Sequence, residues 1–76
     1  MKYQIIEKTI LVYGPKRGTS NELVADILDS CAANKIRATF VSADRYGKWA
    51  QFQIYGPKGL EIATQYLNRF AKFEIA

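Results

Sequence analysis

The side chains best suited to binding chemistry are aromatic, amide and basic residues in two alternating, β-type segments. The clearest alternation runs from Lys48 to Tyr55 and places four residues on one side: Trp49, Gln51, Gln53 and Tyr55. An earlier alternating segment places Thr9, Leu11 and Tyr13 on one side. Aromatic rings among polar residues suit stacking on nucleobases, which contributes about 1–3 kcal/mol per base. Cross-strand packing, or cover by a second copy of the chain, would explain the same pattern.

Basic residues follow these aromatics in a repeated tetrapeptide. Tyr13-Gly14-Pro15-Lys16 recurs as Tyr55-Gly56-Pro57-Lys58, and each copy stands between an apolar run and a helical periodicity. The N–H groups of two helix starts, with Lys16, Arg17 and Lys58, would suit a phosphate or carboxylate. No Gly-Lys-Ser/Thr sequence follows, so the pattern is not a P-loop. The alternative is that these basic side chains are solvated and bind nothing. Tyr-Gly-Pro would then recur only because it suits the end of a strand and the start of a helix.

Charge is distributed unevenly along the chain. Eleven Lys and Arg against seven Asp and Glu give a net charge of +4 and a pI near 9.4. The predicted helices are acidic, which leaves the positive charge on the predicted strands, loops and termini, where a phosphate backbone would be attracted. The predicted nucleic-acid-binding residues are Tyr13, Lys16, Arg17, Arg37, Lys48, Trp49, Gln51, Tyr55 and Lys58.

Catalytic and metal chemistry have little support in the sequence. Histidine is absent, which removes the usual general base and the commonest metal ligand. Asp26 and Asp29 lie three apart on a predicted helix surface without a partner base, and Asp44 is a single acid in a predicted loop. Cys31 falls on an apolar helical stripe, which indicates a buried, inert thiol. We therefore expect a non-enzymatic protein without a cofactor or a metal site.

Periodicity predicts six elements in the order βαββαβ. The predicted strands are Lys2–Tyr13, Ile36–Ala43, Lys48–Tyr55 and a short last strand containing Phe73 and Ile75; the predicted helices run from Thr19 to about Ala33 and from Pro57 to about Ala71. Thr19 and Glu22 form a capping box, and Asn34 is expected to end the first helix in the left-handed conformation. The first strand is long, so we expect a bulge near Glu7-Lys8 or an N-terminal portion that pairs elsewhere.

This order predicts one α+β domain over residues 1–76, a ferredoxin-like βαββαβ sandwich. Its antiparallel sheet has the strand order 4-1-3-2, with two helices on one face. We expect the first and third strands to be adjacent and parallel, with both repeated loops at the same end. The predicted helix-facing core is Ile10, Val12, Leu23, Ile27, Leu28, Cys31, Phe40, Phe52, Ile54, Leu67 and Phe70.

The chain resembles RNA-recognition-motif domains in element order and in aromatics on the central strands. Their third-strand octapeptide corresponds here to Gly47-Lys48-Trp49-Ala50-Gln51-Phe52-Gln53-Ile54, where Trp49 and Ala50 match. The Gly-Lys order is inverted, Gln51 replaces the second stacking aromatic, and Leu11 stands where the first strand should carry an aromatic. Acylphosphatases share the predicted fold, but their glycine- and arginine-bearing signature loop is missing.

Two classes of function follow. The first is a small nucleic-acid-binding domain for single-stranded RNA or DNA, using the open sheet face and basic loops. The alternative is a small regulatory protein that binds a protein partner, as an inhibitor, an adaptor, a virus-encoded regulator or a homodimer, through the same face or an edge strand. Charges at Lys2, Glu7 and Lys8 interrupt the N-terminal apolar run, so no membrane partner is expected. The single cysteine favours a cytoplasmic location.

Overall fold

The computed structural model describes residues 7–14 and 18–76, which form four strands and two helices in the predicted βαββαβ order. The strands are β1 (Glu7–Tyr13), β2 (Ala38–Ala43), β3 (Trp49–Tyr55) and β4 (Lys72–Ile75), and the helices are α1 (Ser20–Ala33) and α2 (Pro57–Phe70). The start of the predicted first strand, and Lys16 and Arg17 of the first repeated loop, lie outside the described residues.

The strands form one antiparallel sheet in the order β2-β3-β1-β4, which confirms the predicted strand order. The alternation of β1 and β3 buries one side of each strand completely: Ile10 and Val12, and Ala50, Phe52 and Ile54. Both helices pack on this side and contribute Leu23, Val24, Ile27, Cys31, Ala63 and Leu67 to the same core. The other side of the sheet has no helical cover among the described residues.

The relative direction of the two central strands differs from the prediction. β1 and β3 are antiparallel, with Tyr13 opposite Trp49 and Glu7 opposite Tyr55. A right-handed crossover through α1 makes β1 and β2 point the same way, and the hairpin then reverses β3. Gly14 and Gly56 therefore lie at opposite ends of the sheet, because the tyrosines before them, Tyr13 and Tyr55, are six residue steps or roughly 20 Å apart at 3.4 Å per residue. The expectation that the two repeated loops sit side by side is wrong.

The described sheet has a β-bulge on β2 and none near Glu7-Lys8, where a bulge was expected. The β1–β3 register is continuous through Glu7 and Lys8, whereas a bulge interrupts the β2–β3 register between Phe40 and Ser42. Phe40 pairs with Phe52 and so faces the helices, yet it is 46% exposed, and Val41 in the bulge is 47% exposed. β2 is an edge strand that the helices cover incompletely, so the prediction of Phe40 in the core is wrong.

The rest of the predicted core is confirmed with two adjustments. Leu28 and Phe70 are half-buried and pack against the core instead of lying within it. Val24, Ala50 and Ala63 are fully buried members that the predicted core left out. Small alanines do not stand out by hydrophobicity, but each lies on the correct face of its element.

The ends of α1 follow local sequence rules. Thr19 Oγ1 accepts a hydrogen bond from Glu22 N, and Glu22 Oε2 accepts one from Thr19 N, both at 3.1 Å, which confirms the capping box. At the other end, Asn34 has φ −96° and the left-handed residue is Lys35, at φ 60°. Ile36 N donates to Cys31 O and Lys35 N to Ala32 O, the paired bonds of a Schellman ending. The left-handed position is therefore one residue later than predicted.

Candidate functional site

The open face of the sheet carries two rows of side chains that cross its central strands. One row is Trp49, Tyr13 and Lys72, on β3, β1 and β4, with each residue directly opposite the next. The adjacent row is Gln51, Leu11 and Glu74 on the same three strands. Because cross-strand neighbours lie about 5 Å apart, these six side chains form one continuous patch.

A shallow depression of about 300 Å³ lies within this patch and is lined by Leu11, Tyr13, Trp49 and Gln51. We call it the Trp49 depression. Trp49 and Tyr13 are half-buried, so part of each ring stays accessible while its base is held against the sheet. An indole and a phenol ring beside an aliphatic floor and an amide can stack on a flat ring and bond to its edge.

The hydroxyl of Tyr13 is held by a carboxylate from the last strand. Tyr13 Oη donates a hydrogen bond to Glu74 Oε2 over 3.1 Å, along the diagonal between the two rows. Partial desolvation raises the pKa of Tyr13, and the hydrogen bond and the negative charge of Glu74 raise it further. The hydroxyl therefore keeps its proton at neutral pH and remains a donor to Glu74.

The hairpin loop before Trp49 is fixed by Asp44. Its Oδ2 accepts hydrogen bonds from Tyr46 N at 3.3 Å and Lys48 N at 3.2 Å. Its backbone N–H donates to Trp49 O at 2.9 Å, and its carbonyl accepts from Gly47 N at 3.1 Å. Asp44, which stood out in the sequence only as a single loop acid, therefore stabilises the turn that precedes Trp49.

The same loop also docks on the start of α1 and the end of β1. Gly14 N donates to Lys48 O at 2.6 Å, and Ser20 N donates to Gly47 O at 3.0 Å. Gly47 has φ 73°, and a Cβ atom there would lie 2.8 Å from Thr19 Cβ. Position 47 therefore requires glycine, both because its backbone is left-handed and because a side chain would collide with Thr19. The hydrogen bonds to Gly14 and Ser20 hold the loop that carries Lys48 on two sides.

The predicted site residues separate into two groups. Tyr13, Trp49 and Gln51 line the depression, and the exposed Lys48 directly precedes Trp49. Arg37, Tyr55 and Lys58 lie towards the other end of β3, where the Arg37 guanidinium stands 5.0 Å above the centre of the Tyr55 ring. That guanidinium covers one face of the Tyr55 ring, and Tyr55 lies at the opposite end of β3 from Trp49. Tyr55 therefore does not form a single stacking platform with Trp49 and Tyr13.

Three members of the patch were not among the predicted site residues. Leu11 lines the depression, while Lys72 and Glu74 belong to the patch from β4, opposite Tyr13 and Leu11. A signal for the last two existed in the sequence. Phe73 and Ile75 alternate with Lys72 and Glu74 in the predicted last strand, so the two charged residues share the face opposite the apolar pair, and the predicted strand order sets this strand beside β1.

A larger groove, of about 680 Å³, lies on the helical side of the molecule. It is lined by Gly18, Glu22, Leu23, Asp26, Tyr66 and Phe70, with the last two rings 5.1 Å apart between centres. Two carboxylates and no basic residue among these side chains would repel a phosphate. The smaller depression on the open face therefore matches the predicted chemistry better.

Metal and thiol chemistry find no support in the described part of the chain. Residues 7–14 and 18–76 contain no cluster of His, Cys, Asp or Glu side chains that could hold a metal ion. Cys31 is buried in the core, and burial raises the pKa of its thiol, as expected for an inert cysteine. Neither described helix has the length and apolarity needed to cross a bilayer.

No family model matches this chain, and neither a curated protein nor a solved structure is significantly similar.

Proposed function

We propose that this chain binds single-stranded RNA or DNA through the open face of its sheet, without catalysing a reaction. The observation that carries the proposal is the position of Trp49 directly opposite Tyr13 on a face that neither described helix covers. Lys72, exposed and directly opposite Tyr13, and Lys48, exposed and next to Trp49 in the sequence, supply positive charge for the phosphates. Trp49 and Tyr13 can each stack on one base, so the site holds one or two bases, and the lysines contact the phosphates beside those bases.

The arrangement suits a single strand better than a duplex. Bases must be unstacked from each other to lie on Trp49 and Tyr13, which a duplex permits only after its pairs are broken. A depression lined by four side chains also accommodates very few nucleotides. Moderate affinity follows from so small a stacking surface, and each phosphate that a lysine contacts adds to the salt dependence of binding.

We propose that the architecture is ferredoxin-like. The βαββαβ order, the strand order β2-β3-β1-β4 and the placement of both helices on one face support this assignment. The resemblance to RNA-recognition motifs rests on the same features together with Trp49 on the third strand. A cytoplasmic location stays a prediction from the single cysteine.

The test uses the only tryptophan of the chain as its own reporter. Adding a single-stranded oligonucleotide of about ten residues to the protein should quench or shift the emission of Trp49. Replacing Trp49 with Ala should weaken binding, measured by anisotropy of a labelled oligonucleotide, by about 5- to 150-fold, which corresponds to the stacking increment of one base. Tyr55→Ala is the matched control, because Arg37 covers that ring at the far end of β3.

The opposite results are equally clear. Unchanged Trp49 emission and no binding in about 50 mM salt, where the electrostatic attraction is strong, would exclude the proposal. Equal losses for Trp49→Ala and Tyr55→Ala would show that binding is not centred on the depression.

The second candidate is a protein partner, and the edge strand β2 is the feature that favours it. Phe40 and Val41 are adjacent on this strand and nearly half exposed, and no other described strand pairs with its outer edge. Such an edge can add a strand from a partner or a second copy, although the bulge between Phe40 and Ser42 weakens that pairing.

Gel filtration with light scattering, with and without single-stranded RNA, distinguishes the candidates. A dimer that Phe40→Lys dissociates, with no RNA complex, would favour the protein partner.

A further inference from the structure

We propose that the Trp49 depression selects guanine, and that Glu74 is the residue that recognises the edge of the base. This inference rests on the proposed binding of single strands and adds a base preference to it. The preference comes from the position of one carboxylate beside a stacking surface.

The second row of the patch supplies the geometry. Leu11 lies between Gln51 on one side and Glu74 on the other, each directly opposite it across a strand pair. Two strand spacings separate the outer residues, roughly 10 Å between Cα atoms. A base that lies over Leu11, against Trp49 and Tyr13, therefore has the Gln51 amide near one edge and the Glu74 carboxylate near the other.

The chemistry of a carboxylate limits which base can meet it. An ionised Glu side chain accepts hydrogen bonds and donates none. Guanine presents two adjacent donors, N1–H and the N2 amino group, on its Watson–Crick edge, which match the two oxygens of a carboxylate. Adenine and cytosine present an amino group next to an acceptor nitrogen, and uracil presents one N–H between two carbonyl oxygens, so each of these bases sets an acceptor against the carboxylate.

Tyr13 holds the carboxylate in place for this contact. Its hydroxyl donates to Glu74 Oε2 at 3.1 Å, which leaves Oε1 and the second lone pair of Oε2 for a base. A phenol keeps its proton at neutral pH, and the raised pKa of Tyr13 extends that range to higher pH. Glu74 also repels phosphates, so the backbone is directed towards Lys72 and Lys48 and the base towards Glu74.

The first experiment measures base preference in the unchanged protein. Oligouridine nonamers carry G, A, C, U or inosine at the central position, and Trp49 emission and anisotropy report their affinities. Guanine should bind about 10- to 100-fold more tightly than uracil, the range expected from hydrogen bonds to a charged acceptor. Inosine keeps N1–H but lacks the N2 amino group, so its affinity should lie between those of guanine and uracil.

The second experiment removes the carboxylate without changing its shape. Glu74→Gln should reduce the preference for guanine to less than about threefold, and binding of oligouridine should stay equal or become tighter because a repulsive charge is lost. Glu7→Gln is the matched control. Glu7 is the carboxylate on β1 opposite Tyr55, so its neutralisation changes the net charge equally and should keep the preference.

The outcomes separate this inference from the proposed function. If no oligonucleotide binds, both are wrong. If all five bind equally, or if adenine or cytosine binds most tightly, binding stands and the inference is overturned. A preference for guanine that survives Glu74→Gln also overturns it, since the Tyr13–Glu74 bond would then serve only cross-strand stability.

Discussion

At the scale of single residues, Tyr13 connects the stability of the sheet with the candidate site. Its ring lines the Trp49 depression, and its hydroxyl links β1 to Glu74 on β4. β4 has four residues and pairs along one side of β1. The bond is exposed, so we expect it to contribute little to stability and to act mainly by orienting the Glu74 carboxylate.

The titration of Tyr13 gives the first prediction. Its pKa is raised, mainly by desolvation and then by Glu74, so folding favours the protonated hydroxyl. The corresponding stability is fully present below the unfolded pKa of about 10 and is lost as pH rises through the higher folded value. Glu74→Gln should lower the pKa of Tyr13 without returning it fully to the ordinary value, because desolvation remains.

Absorbance at 295 nm, recorded for each protein and its Tyr13→Phe counterpart, isolates this one tyrosine by difference. Glu7→Gln, which neutralises a carboxylate away from Tyr13, should leave the difference curve in place. A Tyr13 curve that does not move in Glu74→Gln would show that the hydrogen bond is not formed in solution.

At the scale of elements, the hairpin between β2 and β3 controls where Trp49 stands. Gly47→Ala would strain a residue at φ 73° and press a methyl group against Thr19. We expect a loss of about 1–3 kcal/mol in the free energy of unfolding, measured by urea titration. Gly14→Ala is the control, since the added Cβ would meet only Lys48 O at an ordinary 3.8 Å. Equal stability of the two variants would mean that the loop is not docked on α1.

The packing of the two helices gives a second prediction at this scale. Leu67 is fully buried on α2, whereas Leu28 on α1 is half-buried at the margin of the core. Leu67→Ala should cost about 2–5 kcal/mol, enough to threaten a domain of this size, and Leu28→Ala clearly less. Thermal and urea unfolding of both variants measure the difference. A larger loss for Leu28→Ala would show that α1 is rotated about its axis relative to this structure.

At the scale of the whole molecule, the antiparallel central strands separate basic residues that the sequence analysis expected at the same end of the sheet. Lys48 lies at the end of the sheet where Trp49 and Tyr13 meet, and Lys58 follows β3 at the other end. Reversing Lys48 to Glu should weaken single-strand binding and reduce the slope of log affinity against log salt by about 0.7, the value for one phosphate contact. Lys58→Glu carries the same charge change and should leave the slope nearly unaltered.

Anisotropy titrations between about 50 and 200 mM salt test this pair, over the range in which several phosphate contacts produce a large loss of affinity. Equal effects of the two reversals would indicate a long binding track that spans both ends of the sheet. A binding constant that does not respond to salt at all would favour an apolar protein interface instead.

The sequence by itself determined the local features of this protein. Periods of two and of about three and a half residues located the elements, because side-chain direction along a strand or helix depends on the nearest residues alone. Thr19, Glu22 and Pro57 mark the helix starts for the same reason. The alternation of β3 therefore assigned Trp49 and Gln51 to the open face correctly, and the element order was sufficient for the strand order.

Only the tertiary structure decided which residues become neighbours across the sheet. Strand direction depends on the number of chain reversals between strands, and register depends on pairing between residues far apart in sequence. These long-range relations join Glu74 to Tyr13 and move Tyr55 and Lys58 away from Trp49. They also place Phe40 on an edge strand, where an inward-facing residue stays half exposed because the helical layer does not reach across it.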